Sequence, residues 1–113
     1  MVDKEERIDL QELRKMAAEM FGDMVKAVVD VKRDVMVVDA ELHSDEEALL
    51  LQKGSDQADL WGINLYPELE GEDFIEYDSM INLRPSQENR SRGVNNPAVR
   101  VHIQKLISAL VIR

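Results

Sequence analysis

Met24-Val25-Lys26-Ala27-Val28-Val29-Asp30-Val31-Lys32-Arg33-Asp34-Val35-Met36-Val37-Val38 sets two valine-rich runs on either side of a charged turn signal, Lys32-Arg33-Asp34. Branching at Cβ restricts χ1 and favours extended backbone, so each run reads as a strand and the pair as a β-hairpin. The fold is read outward from this hairpin. Ahead of it, residues 9 to 21 predict a helix, with Asp9 as N-cap and Glu12 in capping-box position. Leu10, Leu13, Met16, Ala17, Met20 and Phe21 share one face of that helix, and Gly22 ends it.

Beyond the hairpin, Ser44 followed by Glu47 is a second capping box, and a short helix over 45 to 53 closed by Gly54 is the preferred reading. The apolar run Ala48 to Leu51 also suits a buried strand, because four consecutive apolar residues carry no period. Leu60 to Tyr66 and Asp73 to Leu83 predict two strands of a second antiparallel hairpin, joined through the Pro67 and Gly71 turn region. Arg84 to Asn95 has no repeating apolar face and reads as a long irregular loop. Asn96-Pro97 is an N-cap followed by proline at the first helical position, and Val99, Ile103, Leu106, Ile107, Leu110 and Val111 make the buried stripe of a final helix. The element order predicts an α+β class: an antiparallel sheet of about four strands with helices packed on one face, in a single domain over residues 1–113.

The 113 residues leave no room for two folded units, while 44% apolar and 33% charged side chains suit one buried core under a charged surface. There is no cysteine, which excludes disulfides, thiolate metal sites and thiol catalysis. No apolar run approaches the roughly 20 residues of a membrane helix, and the charged start, Met1-Val2-Asp3-Lys4-Glu5-Glu6, does not resemble an export signal. A cytoplasmic protein without a membrane partner is therefore expected.

The net charge of -9 is unevenly distributed. Residues 39–78 hold 13 acidic side chains and one basic, Lys53, whereas residues 79–113 hold six basic and one acidic, Glu88. A molecule that repels polyanions overall is a poor ligand for duplex nucleic acid. The basic end has two other uses: neutralising the acidic middle within the fold, or receiving a small anionic molecule.

Two constellations carry candidate chemistry. Asp39-x-Glu41-x-His43-x-Asp45 alternates polar side chains, and on a strand these would lie in a row about 6 to 7 Å apart. His43 beside Glu41 or Asp45 suits proton transfer, or two or three of them suit a divalent cation such as Mg, Mn or Zn; a solvated strand face is the structural alternative. No metal-ligand signature decides among these readings, and the identity of any cofactor is left open. The second constellation runs from Asp78 through Asn82 and Arg84 into the loop bearing Asn89, Arg90 and Arg92. Arginine forks bind carboxylate or phosphate, with Asn and Ser adding neutral hydrogen bonds; alternatively the arginines tie to the acidic middle third while Asn and Ser satisfy turns by bonding to backbone. No phosphate-cradling glycine loop is present, which disfavours an ATPase or GTPase. Trp61 is a candidate ligand wall, although a lone Trp in a strand is more often core. His102 lies beside an apolar helix stripe and reads as structural.

Three phrases carry a family resemblance: Glu41-Leu42-His43-Ser44-Asp45, Leu60-Trp61-Gly62-Ile63-Asn64-Leu65-Tyr66-Pro67, and Ile81-Asn82-Leu83-Arg84-Pro85-Ser86-Gln87-x-Asn89-Arg90-Ser91-Arg92. The chain resembles a small family of uncharacterised prokaryotic single-domain proteins of about this length. That resemblance implies an α+β domain and supplies no catalytic residues. Residue chemistry then leaves two functional expectations. One is a pocket for a small anionic ligand, with hydrolysis as the candidate chemistry, where the 39–45 face meets the arginine loop. The other is a non-catalytic binding or homo-oligomeric assembly module.

Overall fold

A computed structural model describes all 113 residues, Met1–Arg113. A two-residue strand, β1 (Ile8–Asp9), leads into α1 (Leu10–Glu19); the Asp9 carboxylate accepts the Glu12 N–H at 2.8 Å, as the capping box predicts. The valine-rich runs form β2 (Val25–Asp30) and β3 (Val35–Val38). Their turn is built by Asp30, whose Oδ1 accepts the Lys32 and Arg33 amides and whose Oδ2 accepts the Ser55 hydroxyl at 2.6 Å. Asp34 completes the turn with a φ of 58°. Next come α2 (His43–Gln52), β4 (Leu60–Leu65), β5 (Ile75–Glu76), α3 (Pro97–Leu110) and β6 (Val111–Ile112). The Asn96 side chain caps α3 by accepting the Ala98 N–H, with Pro97 at its first position.

The main sheet has the order β3-β2-β4-β5 with every pair antiparallel, so the hairpin supplies its centre and the α+β class stands. Alternation along β2 sends Val25, Ala27 and Val29 to one face, where they meet Met36, Trp61, Ile63 and Leu65. Leu13 and Ala17 of α1 and Ile103, Leu106, Ile107 and Leu110 of α3 close this main core. The expected one-face covering thus holds for α1 and α3. The structure adds α2 on the second face, where Leu50 packs on Val28, Val37 and Leu60. A separate parallel pair joins β1 to β6. Two-residue strands have no period, so nothing in the sequence announces this pairing.

The expected strand over Asp73 to Leu83 is corrected. Only Ile75 and Glu76 pair with β4, after which the chain leaves the edge and folds over the second face. Gly62 is the reason. A Cβ at Gly62 would lie 2.5 Å from both Cβ and Oγ of Ser79, so the missing side chain is the space that Ser79 occupies, with Ile81 beside it. Gly62→Ala should therefore cost about 1 to 3 kcal/mol through overpacking, read as a lowered urea midpoint with an unchanged m-value.

The departing chain leaves the outer edge of β4 without a strand partner, and side chains take that place. Asn82, with 0% exposure, accepts the Gly62 N–H through Oδ1 and donates through Nδ2 to the Gly62 carbonyl, both at 2.9 Å. Two residues along the same edge, the Leu60 carbonyl accepts from Arg84 Nη2. Asn82 and Arg84 thus act as a surrogate strand, satisfying backbone groups that burial would otherwise strand.

Candidate functional site

The predicted row Asp39, Glu41, His43 and Asp45 does not form, because residues 39–45 are not a strand. Asp39 takes a left-handed φ of 70°, ending β3, and α2 begins at His43. The Ser44–Glu47 capping box is also absent: the N-cap is Leu42, without a side-chain bond. Helical periodicity replaces the period of two. His43, Glu46 and Leu50 face the sheet, whereas Glu41 and Asp45 point to solvent.

His43 is 8% exposed, and its Nε2 lies 2.8 Å from the Ile63 carbonyl. A carbonyl only accepts, so Nε2 carries the hydrogen and Nδ1 of the neutral ring keeps its lone pair. Burial pulls the His43 pKa below 6.5, outweighing the bond to Ile63 and the nearby Asn64 side chain, while Lys26 and Asp78 act on it in opposite senses. One helical turn on, Glu46 is 1% exposed, and neither carboxyl oxygen has a hydrogen-bond partner. Burial pushes its pKa up to about 9; the Ala40 backbone and Lys26 pull the other way but do not prevent it. At neutral pH the helix therefore presents a neutral imidazole and a protonated carboxyl to the same sheet face.

The sheet supplies the opposing groups. Lys26 of β2 and Asn64 of β4 are cross-strand partners on this face. Asn64 Nδ2 donates to Glu76 Oε1 at 2.8 Å, and its buried Oδ1 has no partner. Asp78 closes the border, its carboxylate 2.6 Å from Arg92 Nε. His43, Asp78 and Arg92 are thus brought to one region, and Lys26, Glu46 and Asn64 join them. Lys26 had a sequence signal, as the one charged side chain within Val25–Val29. Glu46 is found only once 43–52 is read as a helix.

The remaining loop residues lie elsewhere in role. Arg84 is 7% exposed, donates to the carbonyls of Ile81, Gln57 and Leu60, and stacks 4.6 Å from the centroid of the Trp61 ring. Its fork is occupied by backbone carbonyls, where the sequence suggests an anion; Trp61, 5% exposed, is covered by this stack and belongs to the main core. Asn82 also donates to the Arg92 carbonyl. Asn89 Nδ2 donates to the carbonyls of Asn82, Ser91 and Gly93, and its Oδ1 accepts the Asn95 amide. Asn82 and Asn89 therefore tie the loop together, and Arg90 projects into solvent. No group of three or more His, Asp or Glu side chains is close enough to hold a metal ion.

No helix is long and apolar enough to cross a membrane. A family model described as protein of unknown function (DUF5674) matches residues 3–110, and the chain belongs to that family. No match is found among curated proteins or among solved structures.

Proposed function

We propose that this member of the DUF5674 family is a small-molecule enzyme whose acid–base site lies between α2 and the second sheet face. His43 is the base and Glu46 the proton donor. The reading rests on one observation: a buried imidazole and a buried carboxyl share the face of α2 that meets the sheet, where the carboxyl of Glu46 and the amide oxygen of Asn64 are buried without a hydrogen-bond partner. Buried polar groups are ordinarily satisfied, so a cluster of open ones is a place for a polar ligand. The protonation states suit this use. Two titratable groups whose environments push their pKa values in opposite directions are the mark of an acid–base pair, and here the imidazole is held neutral while the carboxyl is held protonated.

In the hydrolytic form of this reading, His43 Nδ1 takes a proton from water, Lys26 faces the negative charge that develops, and Glu46 protonates the leaving group. Asp78 lies where it stabilises the imidazolium formed. The expected result is turnover within a panel of small activated carboxylic and phosphate esters, rising with pH through a midpoint below 6.5. His43→Gln should lower it by about 10²- to 10⁴-fold. Equal rates for wild type and His43→Gln, or no turnover across the panel, would reject the site.

A further inference from the structure

A groove of about 1160 Å³ lies where the free edges of β5 and β6 approach α3, lined from those edges by Ile75, Val111 and Ile112. Its floor is apolar, with Phe74 and Ile107 buried beneath it. Along one wall, Arg100, Gln104 and Ser108 are spaced four residues apart and form a polar stripe on α3. Tyr77 and Phe74 are the aromatic part of the lining. The groove thus combines a hydrogen-bonding stripe with apolar area.

Three arginines reach this groove from separate parts of the chain: Arg7 ahead of β1, Arg100 in α3 and Arg113 after β6. None of them is ion-paired, although Glu70 and Glu72 line the same groove and the chain carries 23 acidic residues. The Arg113 guanidinium lies 4.4 Å from the Phe74 ring centroid. Arg100 spends one donor on the Val94 carbonyl at 2.6 Å and keeps the rest, while its own carbonyl accepts the Tyr77 hydroxyl and so ties α3 to the aromatic part of the lining. Converging cations over an apolar floor are complementary to a ligand with an anionic head and an apolar body.

From this juxtaposition we infer that the groove binds a small amphipathic anion, with a carboxylate or phosphate head held by Arg7 and Arg100 and an apolar body resting on Phe74, Tyr77 and Ile107. The inference is independent of the acid–base reading, since the groove shares no residue with the His43 cluster. An anion without an apolar body gains too little here, because an open groove leaves its arginines hydrated. A polyanion is opposed by Glu70, Glu72 and the overall net charge.

The test is an amide chemical-shift titration of the whole chain with dodecanoate, dodecyl phosphate, dodecyltrimethylammonium and inorganic phosphate. Saturable shifts at Phe74, Tyr77, Gln104 and Ser108 are expected with the first two probes and not with the last two. The relative affinity of dodecanoate and dodecyl phosphate tells which head the site prefers. Arg7→Gln and Arg100→Gln should each weaken binding about tenfold or more. Ser108→Trp, at an exposed position that can accept a large side chain, should block the groove with the remaining spectrum unchanged. Equal binding of the cationic probe, shifts confined to other surfaces, no binding of either anion, or full affinity in Arg100→Gln and Ser108→Trp would each overturn the inference.

Discussion

Glu46→Gln should stabilise the fold by about 3 kcal/mol at pH 7 and by almost nothing near pH 4.5. The sign follows from linkage. In the unfolded chain the carboxyl ionises near 4.5, whereas in the folded chain burial holds it protonated up to about 9. Below the unfolded value both states bind the proton and no penalty exists. Between the two values folding must take up a proton, at about 1.4 kcal/mol per pH unit, so stability falls as pH rises through this window and levels off above the folded pKa. Glutamine removes the titration and keeps the shape, at a position where the native carboxyl has no hydrogen-bond partner. Urea unfolding of both proteins at pH 5, 7 and 8 measures the difference directly. Two parallel stability profiles would mean that Glu46 is ionised inside the fold beside Lys26, and the proton donor of the proposed site would be lost with it.

This prediction bears on why such a residue stands there. A buried carboxyl that lowers stability at neutral pH is a poor structural choice, since glutamine or leucine would serve the packing of α2 better. Functional sites are where a fold tolerates groups that stability alone would remove. Glu46→Gln should therefore gain stability and lose turnover together. A variant that gained stability and kept full ester turnover would separate the residue from the chemistry while leaving His43 in place.

What is legible in the sequence is local. The Asp9–Glu12 cap, the valine hairpin and the Asn96-Pro97 start each depend on neighbours a few residues apart, and each forms where the sequence places it. The α2 boundary was harder, because the Leu49-Leu50-Leu51 run is apolar on every side and polar alternation over only four positions imitates a strand. His43 and Asp78 stand out in the sequence as candidates, whereas the groups that fold beside them do not, since Glu46 depends on helical phase and Asn64 on strand register. The arginine loop is ambiguous in sequence for a different reason. Asn82, Arg84 and Asn89 have the composition of an anion site, and only the early end of β5 shows that backbone carbonyls claim their donors.

Asn82→Ala should cost about 4 kcal/mol, because it leaves the Gly62 N–H and carbonyl buried without partners and also frees the Arg92 carbonyl. Asn82→Asp should be nearly as damaging: a carboxylate still accepts from the Gly62 amide but cannot donate, and it sets negative charge against two carbonyl oxygens. Arg90→Ala, at an exposed position, should stay within about 0.5 kcal/mol of wild type. Urea midpoints rank the three variants, and hydrogen exchange at the Gly62 amide reports whether the edge of β4 opens where Asn82 is lost. An anion-binding loop predicts the reverse order, with Asn82→Ala mild in the absence of ligand and added phosphate stabilising wild type but not Arg90→Ala. The edge-capping role requires that phosphate leave all of these midpoints where they are.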